Sequence, residues 1–150
     1  MGARILFDAF LHRWSEIRKN FPNEIPSFTQ IYSESDYKFI SESFNQVESD
    51  RNATLHSEII AIESATKHQN QKYLTDSILI TALEPCLQCA GAILRVKLPK
   101  VYYFLPAKPG EGISSYSTES IYLMNHFPTI QLIENSVIKN EFREFFKEKR

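Results

Sequence analysis

The sequence predicts an α/β fold in three layers, with helices on both faces of one central mixed sheet of about five strands. Two observations carry this. A helical stripe opens the chain, and β-patterned runs then alternate with helical ones, in the order helix, two strands, helix, strand, helix, strand and trailing elements. With 150 residues, 43% of them hydrophobic and 13% aromatic, the chain has the size and apolar content of one globular domain, spanning 1–150.

The elements follow in order. Leu6, Phe10, Trp14, Ile17 and Phe21 recur at spacings of three and four, one apolar helical stripe that Pro22 stops. Phe28, Ile31 and Tyr32, then Tyr37, Phe39 and Ile40, form two strand-like runs (27–33 and 36–44) around the polar Ser33 to Asp36 turn. After a polar stretch, Ile59, Ile60, Ile62 and Ala65 predict a buried helix from Ser57 to about Lys67. Ser77 to Ala82 is a short apolar, partly β-branched run, as a buried central strand requires. A second buried helix is predicted from Cys86 to about Val96, ended before Pro99, and a strand from Val101 to Leu105. Pro106 to Ser117 reads as a loop long enough to be functional or mobile, Ile130 to Ile133 as a last strand, and Lys139 to Arg150 as a charged terminal helix.

Composition narrows the function classes. No stretch approaches the roughly 18 uninterrupted apolar residues of a membrane helix. The start of the chain lacks a basic segment and a small-residue cleavage site, so no membrane association and a cytoplasmic location are expected. A net charge of -1 gives no global basic footprint, so any nucleic-acid surface must be local.

The chemistry lies in His56-Ser57-Glu58 and Pro85-Cys86-Leu87-Gln88-Cys89. His56, Cys86 and Cys89 supply three nitrogen and sulfur ligands, the number a catalytic zinc takes while keeping a fourth position for water. Each group sits at a predicted helix start, where the helix dipole and the metal charge favour thiolates. Zinc lowers the pKa of bound water to about 7. Glu58, two residues from His56, is placed to shuttle protons without itself being a ligand. A redox Cys-x-x-Cys pair would leave His56 and Glu58 unexplained, and a structural zinc site would need a fourth ligand. His12, His68 and His126 lack ligand spacing and read as surface or packing residues.

His-x-Glu followed by Pro-Cys-x-x-Cys is the zinc-deaminase signature. The run Leu83-Glu84-Pro85-Cys86-Leu87-Gln88-Cys89-Ala90-Gly91-Ala92 resembles the corresponding segment of bacterial tRNA-specific adenosine deaminases. Glu24-Ile25-Pro26 resembles that family's Glu-Val-Pro, and Phe145-Phe146 its terminal Phe-Phe helix. The chain departs from the family at Ser57, where alanine is usual, at Phe28, which replaces a glycine, in the 108–117 loop and in a shorter terminal helix.

The resemblance implies a cytidine deaminase-like α/β/α domain holding one Zn2+ per chain and converting the wobble adenosine of a tRNA anticodon stem-loop to inosine, with a homodimer as the assembly. It also implies that Asn45 hydrogen-bonds the target base, with Ile25, Pro26 and Ser57 completing the substrate site. Phe145, Phe146, Lys147 and Arg150 become candidate RNA contacts. Lys139, Arg143, Lys147, Lys149 and Arg150 alternate with Glu141, Glu144 and Glu148, so a phosphate-binding face and an ordinary solvated face stand as equal readings. Two alternative functions remain at this point: a deaminase of a free nucleobase or nucleoside of the guanine, cytosine or cytidine type, and a non-catalytic RNA-binding partner, against which Glu58 argues.

Overall fold

The computed structural model describes residues 2–122, 126 and 128–148. Helix α1 (Gly2–Ile17) buries Leu6, Phe10 and Trp14 and tightens into a 3-10 turn at Arg18–Asn20, short of the Phe21 terminus that the stripe predicts. Arg18 Nη1 donates to the Phe21 carbonyl at 3.1 Å, and Trp14 Nε1 donates to the Pro26 carbonyl at 2.9 Å, tying the helix to the chain that enters the sheet.

Five strands, β1 (Phe28–Ser33), β2 (Phe39–Phe44), β3 (Ser77–Leu83), β4 (Lys100–Leu105) and β5 (Thr129–Leu132), form one mixed sheet in the order β2-β1-β3-β4-β5. Strand β1 is antiparallel to both neighbours, whereas β3, β4 and β5 run parallel. Strand β2 starts three residues later than expected. Tyr37 takes a left-handed φ of 58° and Asp36 Oδ1 accepts from the Lys38 amide at 3.1 Å, which makes this stretch part of the turn.

Successive side chains of a strand point to opposite faces, and this alternation builds two cores. On one face Phe28, Tyr32, Ile78, Ile80 and Ala82 pack with Leu6, Phe10 and Trp14 of α1 and with Ile138 and Phe142 of α5 (Ser136–Glu148). On the other, Ile31 and Leu79 pack with Ala61, Ile62 and Ala65 of α2 (Ser57–Gln69) and with Ala90 and Ile93 of α3 (Leu87–Arg95). Phe28 fills the first core completely, its ring 5.2 Å from Phe10 and 6.3 Å from Phe44.

Helix α2 follows the 45–56 loop and α3 follows β3 directly, so each starts on an extended residue, His56 and Cys86. The stretch from Pro106 to Ser117 is not structureless. Ile113 is buried in a 3-10 turn (Ile113–Ser115), and a short helix α4 (Thr118–Tyr122), which the sequence does not announce, follows. Helix α5 begins three residues before the expected Lys139, because Asn135 Oδ1 accepts from the Ile138 amide at 3.0 Å and caps it. Among the described residues no helix is long and apolar enough to cross a membrane.

Candidate active site

The helix starts bring His56, Cys86 and Cys89 together, with ligand atoms all within 4.8 Å of one another. His56 Nδ1 lies 3.5 Å from each sulfur. A tetrahedral zinc with ordinary Zn–S and Zn–N bonds spaces sulfur and nitrogen roughly 3.6 Å apart, so this half-buried set fits one zinc ion per chain. It is the one such group among the described residues.

The three side chains are electrostatically coupled. The hydrogen bond from Cys89 pulls the Cys86 thiol far below its ordinary range against the effect of burial, and His56 adds to the pull. The same bond pushes Cys89 up, with burial and the Glu58 charge acting in the same direction. His56 is raised, chiefly by its bond to Cys86. A metal must displace protons from this cluster, so its binding is linked to pH.

Glu58, on the first turn of α2, is buried and faces the cluster. Its Oε2 lies 2.8 Å from Cys89 Sγ, a contact that is favourable while one of the two groups carries a proton. Its Oε1 accepts from Thr81 Oγ1 at 2.7 Å, with Ser57 Oγ at 3.3 Å and Thr29 Oγ1 at 3.5 Å. Sequence reasoning missed Thr29 and Thr81. Strand alternation turns both toward α2, but only the pairing of β1 with β3 sets Thr29 opposite Thr81.

His56, Glu58 and Cys86 line a cavity of about 170 Å³ together with Ile25, Asn45 and Leu83. A second cavity of about 420 Å³ shares Ile25, Asn45 and Val47 with it and reaches Phe145 and Phe146, so an inner and an outer chamber lie side by side.

Two buried carboxylates hold the rims. Glu24 accepts from Asn45 Nδ2 at 3.2 Å and from the amides of Glu48 at 3.0 Å and Ser49 at 2.6 Å. Glu84 accepts from the amides of Ala107 at 3.2 Å and Ser114 at 2.8 Å, and from Ser114 Oγ at 2.6 Å. Glu84 so nearly touches Gly112 that a Cβ there would overlap its carboxylate. Gly112 bridges Cys86 across the backbone, so this rim lies directly against a ligand.

Of the residues assigned to the substrate by resemblance, Asn45 and Ile25 line the inner chamber. Ser57 does not: its side chain is fully buried behind Glu58, bonded to Ser27 and Thr29. Pro26 is buried and presents its carbonyl to Trp14. Phe146 is 48% exposed beside the largely buried Phe145, Lys147 is exposed, and Arg150, like Lys149, lies outside the described residues. His12 pairs with Glu16 at 3.3 Å, His126 Nε2 lies 2.8 Å from the Leu98 carbonyl, and His68 is exposed, so none joins the metal cluster.

A mixed five-stranded sheet that aims a His-x-Glu turn and a Cys-x-x-Cys turn at one point defines the zinc-deaminase class. The family model of the cytidine and deoxycytidylate deaminase zinc-binding region matches residues 12–105, and the chain belongs to that family. It is 40% identical over 81 residues to a tRNA-specific adenosine deaminase of Rickettsia bellii, a match covering 54% of this chain and 56% of that one. A protein of the same description from Aquifex aeolicus is 30% identical over 128 residues, 85% of this chain and 83% of its own. The chain thus spans little more than half the length of the Rickettsia relative and most of the Aquifex one. A structure from a study of A-to-I editing by tRNA:A34 deaminases superposes with a TM-score of 0.69 at 23% identity, over 88% of this chain and 91% of that one, a likeness of fold.

Proposed function

We propose that this chain, acting as one deaminase domain, is a zinc-dependent hydrolase that converts adenosine to inosine at the wobble position of a tRNA anticodon. The observation that carries the reading is the pair of chambers: a small inner chamber holding His56, Cys86 and Glu58 shares Asn45 with an outer chamber that reaches Phe145 and Phe146. An inner space of base size beside an aromatic outer one suits a nucleotide splayed from a loop, its base inserted and its neighbours stacked outside. The naming of the Rickettsia and Aquifex relatives supports the same substrate.

When bound, zinc supplies a Lewis acid that makes water a nucleophile at neutral pH. The chain's own residues do the rest. His56, Cys86 and Cys89 hold the ion. Asn45 orients the base with its amide and Ile25 packs against it. Glu58 takes a proton from the attacking water at Oε2, gives it to the ring nitrogen, and passes the second to the departing amine. Adenosine and water become inosine and ammonia.

A homodimer fits the groove of about 400 Å³ where Leu87, 72% exposed, meets Leu94, Tyr116 and Ile121. A tRNA substrate supports a cytoplasmic location.

The test incubates zinc-loaded protein with an adenosine-bearing anticodon stem-loop and, separately, with free adenosine, cytidine, cytosine and guanine, with Glu58→Ala as the blank. Inosine formed in the stem-loop by the intact protein alone is the expected result. Turnover of a free base alone would transfer the same site to the nucleobase class, and no turnover would favour the non-catalytic reading.

A further inference from the structure

Behind Glu58, in the packed layer between the sheet and α2, four buried hydroxyls adjoin one another: Ser27 at 6% exposure and Thr29, Ser57 and Thr81 at 0%. Buried hydroxyls are costly unless bonded, and these bond to one another. Ser27 and Ser57 Oγ are 3.1 Å apart, Ser57 Oγ and Thr29 Oγ1 2.8 Å, and Thr29 Oγ1 and Thr81 Oγ1 2.9 Å. Thr81 Oγ1 then reaches Glu58 Oε1 at 2.7 Å.

Each hydroxyl has one proton to give and lone pairs to accept. Glu58 Oε1 accepts whichever of Glu58 Oε2 and Cys89 Sγ carries the proton between them, so the direction is set from that end. Thr81 gives to Glu58; Thr29 gives to Thr81 at 2.9 Å and Ser57 to Thr29 at 2.8 Å, each nearer than Glu58 Oε1 at 3.5 and 3.3 Å; and Ser27 gives to Ser57, leaving no proton in the row without an acceptor. The Phe28 carbonyl, 3.2 Å from Thr81 Oγ1, competes as an acceptor, but it is farther and uncharged. Hydroxyls aligned in one sense polarise one another and strengthen the last bond, the one to the charge.

We infer that Ser27, Ser57, Thr29 and Thr81 form a one-way hydrogen-bonded chain that positions Glu58, with Thr81 its terminal and decisive member. The chain engages Oε1, and Oε2 is the oxygen turned toward Cys89. The carboxylate is thereby prevented from rotating and exchanging its two oxygens during proton transfer. Thr81 does not touch substrate. It is a positioning residue acting through Glu58, and its kinetic consequence rests on the deaminase reading above.

The test compares zinc-loaded wild type with Thr81→Val, which keeps shape and removes the hydroxyl, and Thr81→Ser, which restores it. Zinc should stay at one per chain in all three. On the stem-loop, Thr81→Val should lower kcat roughly tenfold, the scale of one charge-assisted hydrogen bond, with KM within about twofold of wild type. Thr81→Ser should recover most of the loss. Wild-type kcat in Thr81→Val, or equal slowness in the two variants, would overturn the inference.

Crystal structures supply a readout independent of turnover. Glu58 should leave its place or split into two conformers in Thr81→Val and not in Thr81→Ser, and an unmoved carboxylate sinks the idea. If wild type deaminates nothing offered, the functional reading fails while this comparison still decides the inference. Should Thr81→Val not fold, Thr29→Val, one link back, takes its place, with a smaller displacement of Glu58 expected and none overturning the inference.

Discussion

Asn45 Nδ2 donates to Glu24 Oε1 across 3.2 Å, and that bond orients the amide in the wall of the inner chamber. Because Glu24 can only accept when ionised, the nitrogen must face it, leaving Oδ1 and the second amide proton for a ligand. Replacing Asn45 with Ala should therefore reduce turnover at unchanged zinc content, measured by metal analysis beside stem-loop kinetics. Full activity in that variant would remove Asn45 from the substrate site.

Glu24 also holds two backbone amides that lie side by side in the 45–56 loop. Glu24→Ala strands three donors and should cost about 1–3 kcal/mol of stability by urea unfolding. KM for the stem-loop should rise, since one wall of the inner chamber loses its anchor.

At the opposite rim, Gly112→Ala should drive the Glu84 carboxylate away from Ser114 and Ala107. Amide hydrogen exchange at 107 and 114 is the measurement, and both amides should lose protection. Retained protection would show that the loop is held by something other than Glu84.

Removal of one metal ligand separates the two halves of the site. Cys86→Ala should lose bound zinc and unfold at lower temperature, because binding free energy is then no longer coupled to folding. Glu58→Ala should keep its zinc and lose activity by about 10²–10⁴-fold, the range of general acid–base catalysis.

The fold also carries a high-pH liability. Tyr32 donates from its hydroxyl to Gln30 Oε1 at 2.6 Å, Gln30 Nε2 donates to Glu42 Oε1 at 3.0 Å, and Arg13 Nη2 pairs with Glu42 Oε2 at 2.8 Å. Burial, with the Glu42 charge, pushes the Tyr32 phenol up to about 12. The folded state therefore favours the neutral phenol. This stabilisation is complete below about pH 10, the ordinary tyrosine value, and is lost as the pH rises through the folded value. Urea midpoints measured between pH 9 and pH 12 should fall more for wild type than for Tyr32→Phe.

Much of the site is legible in the sequence because the residues lie close together and their chemistry is particular. His56 and Glu58 share one turn and Cys86 and Cys89 another, and the two cysteines are the only thiols in the sequence. The short, continuous, partly β-branched apolar run from Ile78 to Ala82 likewise announces a strand buried on both faces. The hydroxyl chain is not legible in this way. Thr29 and Thr81 are ordinary strand formers, far apart in sequence, and they meet only because β1 and β3 pair with Thr29 opposite Thr81. Ser57 shows the limit of resemblance: it is assigned to the substrate site on that ground, yet its side chain is turned inward to Ser27 and Thr29. Helix α4 is too short to leave a periodic trace.

The two chambers also differ in when their parts are made. All three ligands and Glu58 lie between residues 56 and 89, whereas Phe145 and Phe146 belong to α5, the last helix described. A chain emerging from the ribosome in sequence order presents its complete set of zinc ligands well before the aromatic wall of the outer chamber is made. The metal-holding part of the site and its outer wall are thus separated in the order of synthesis.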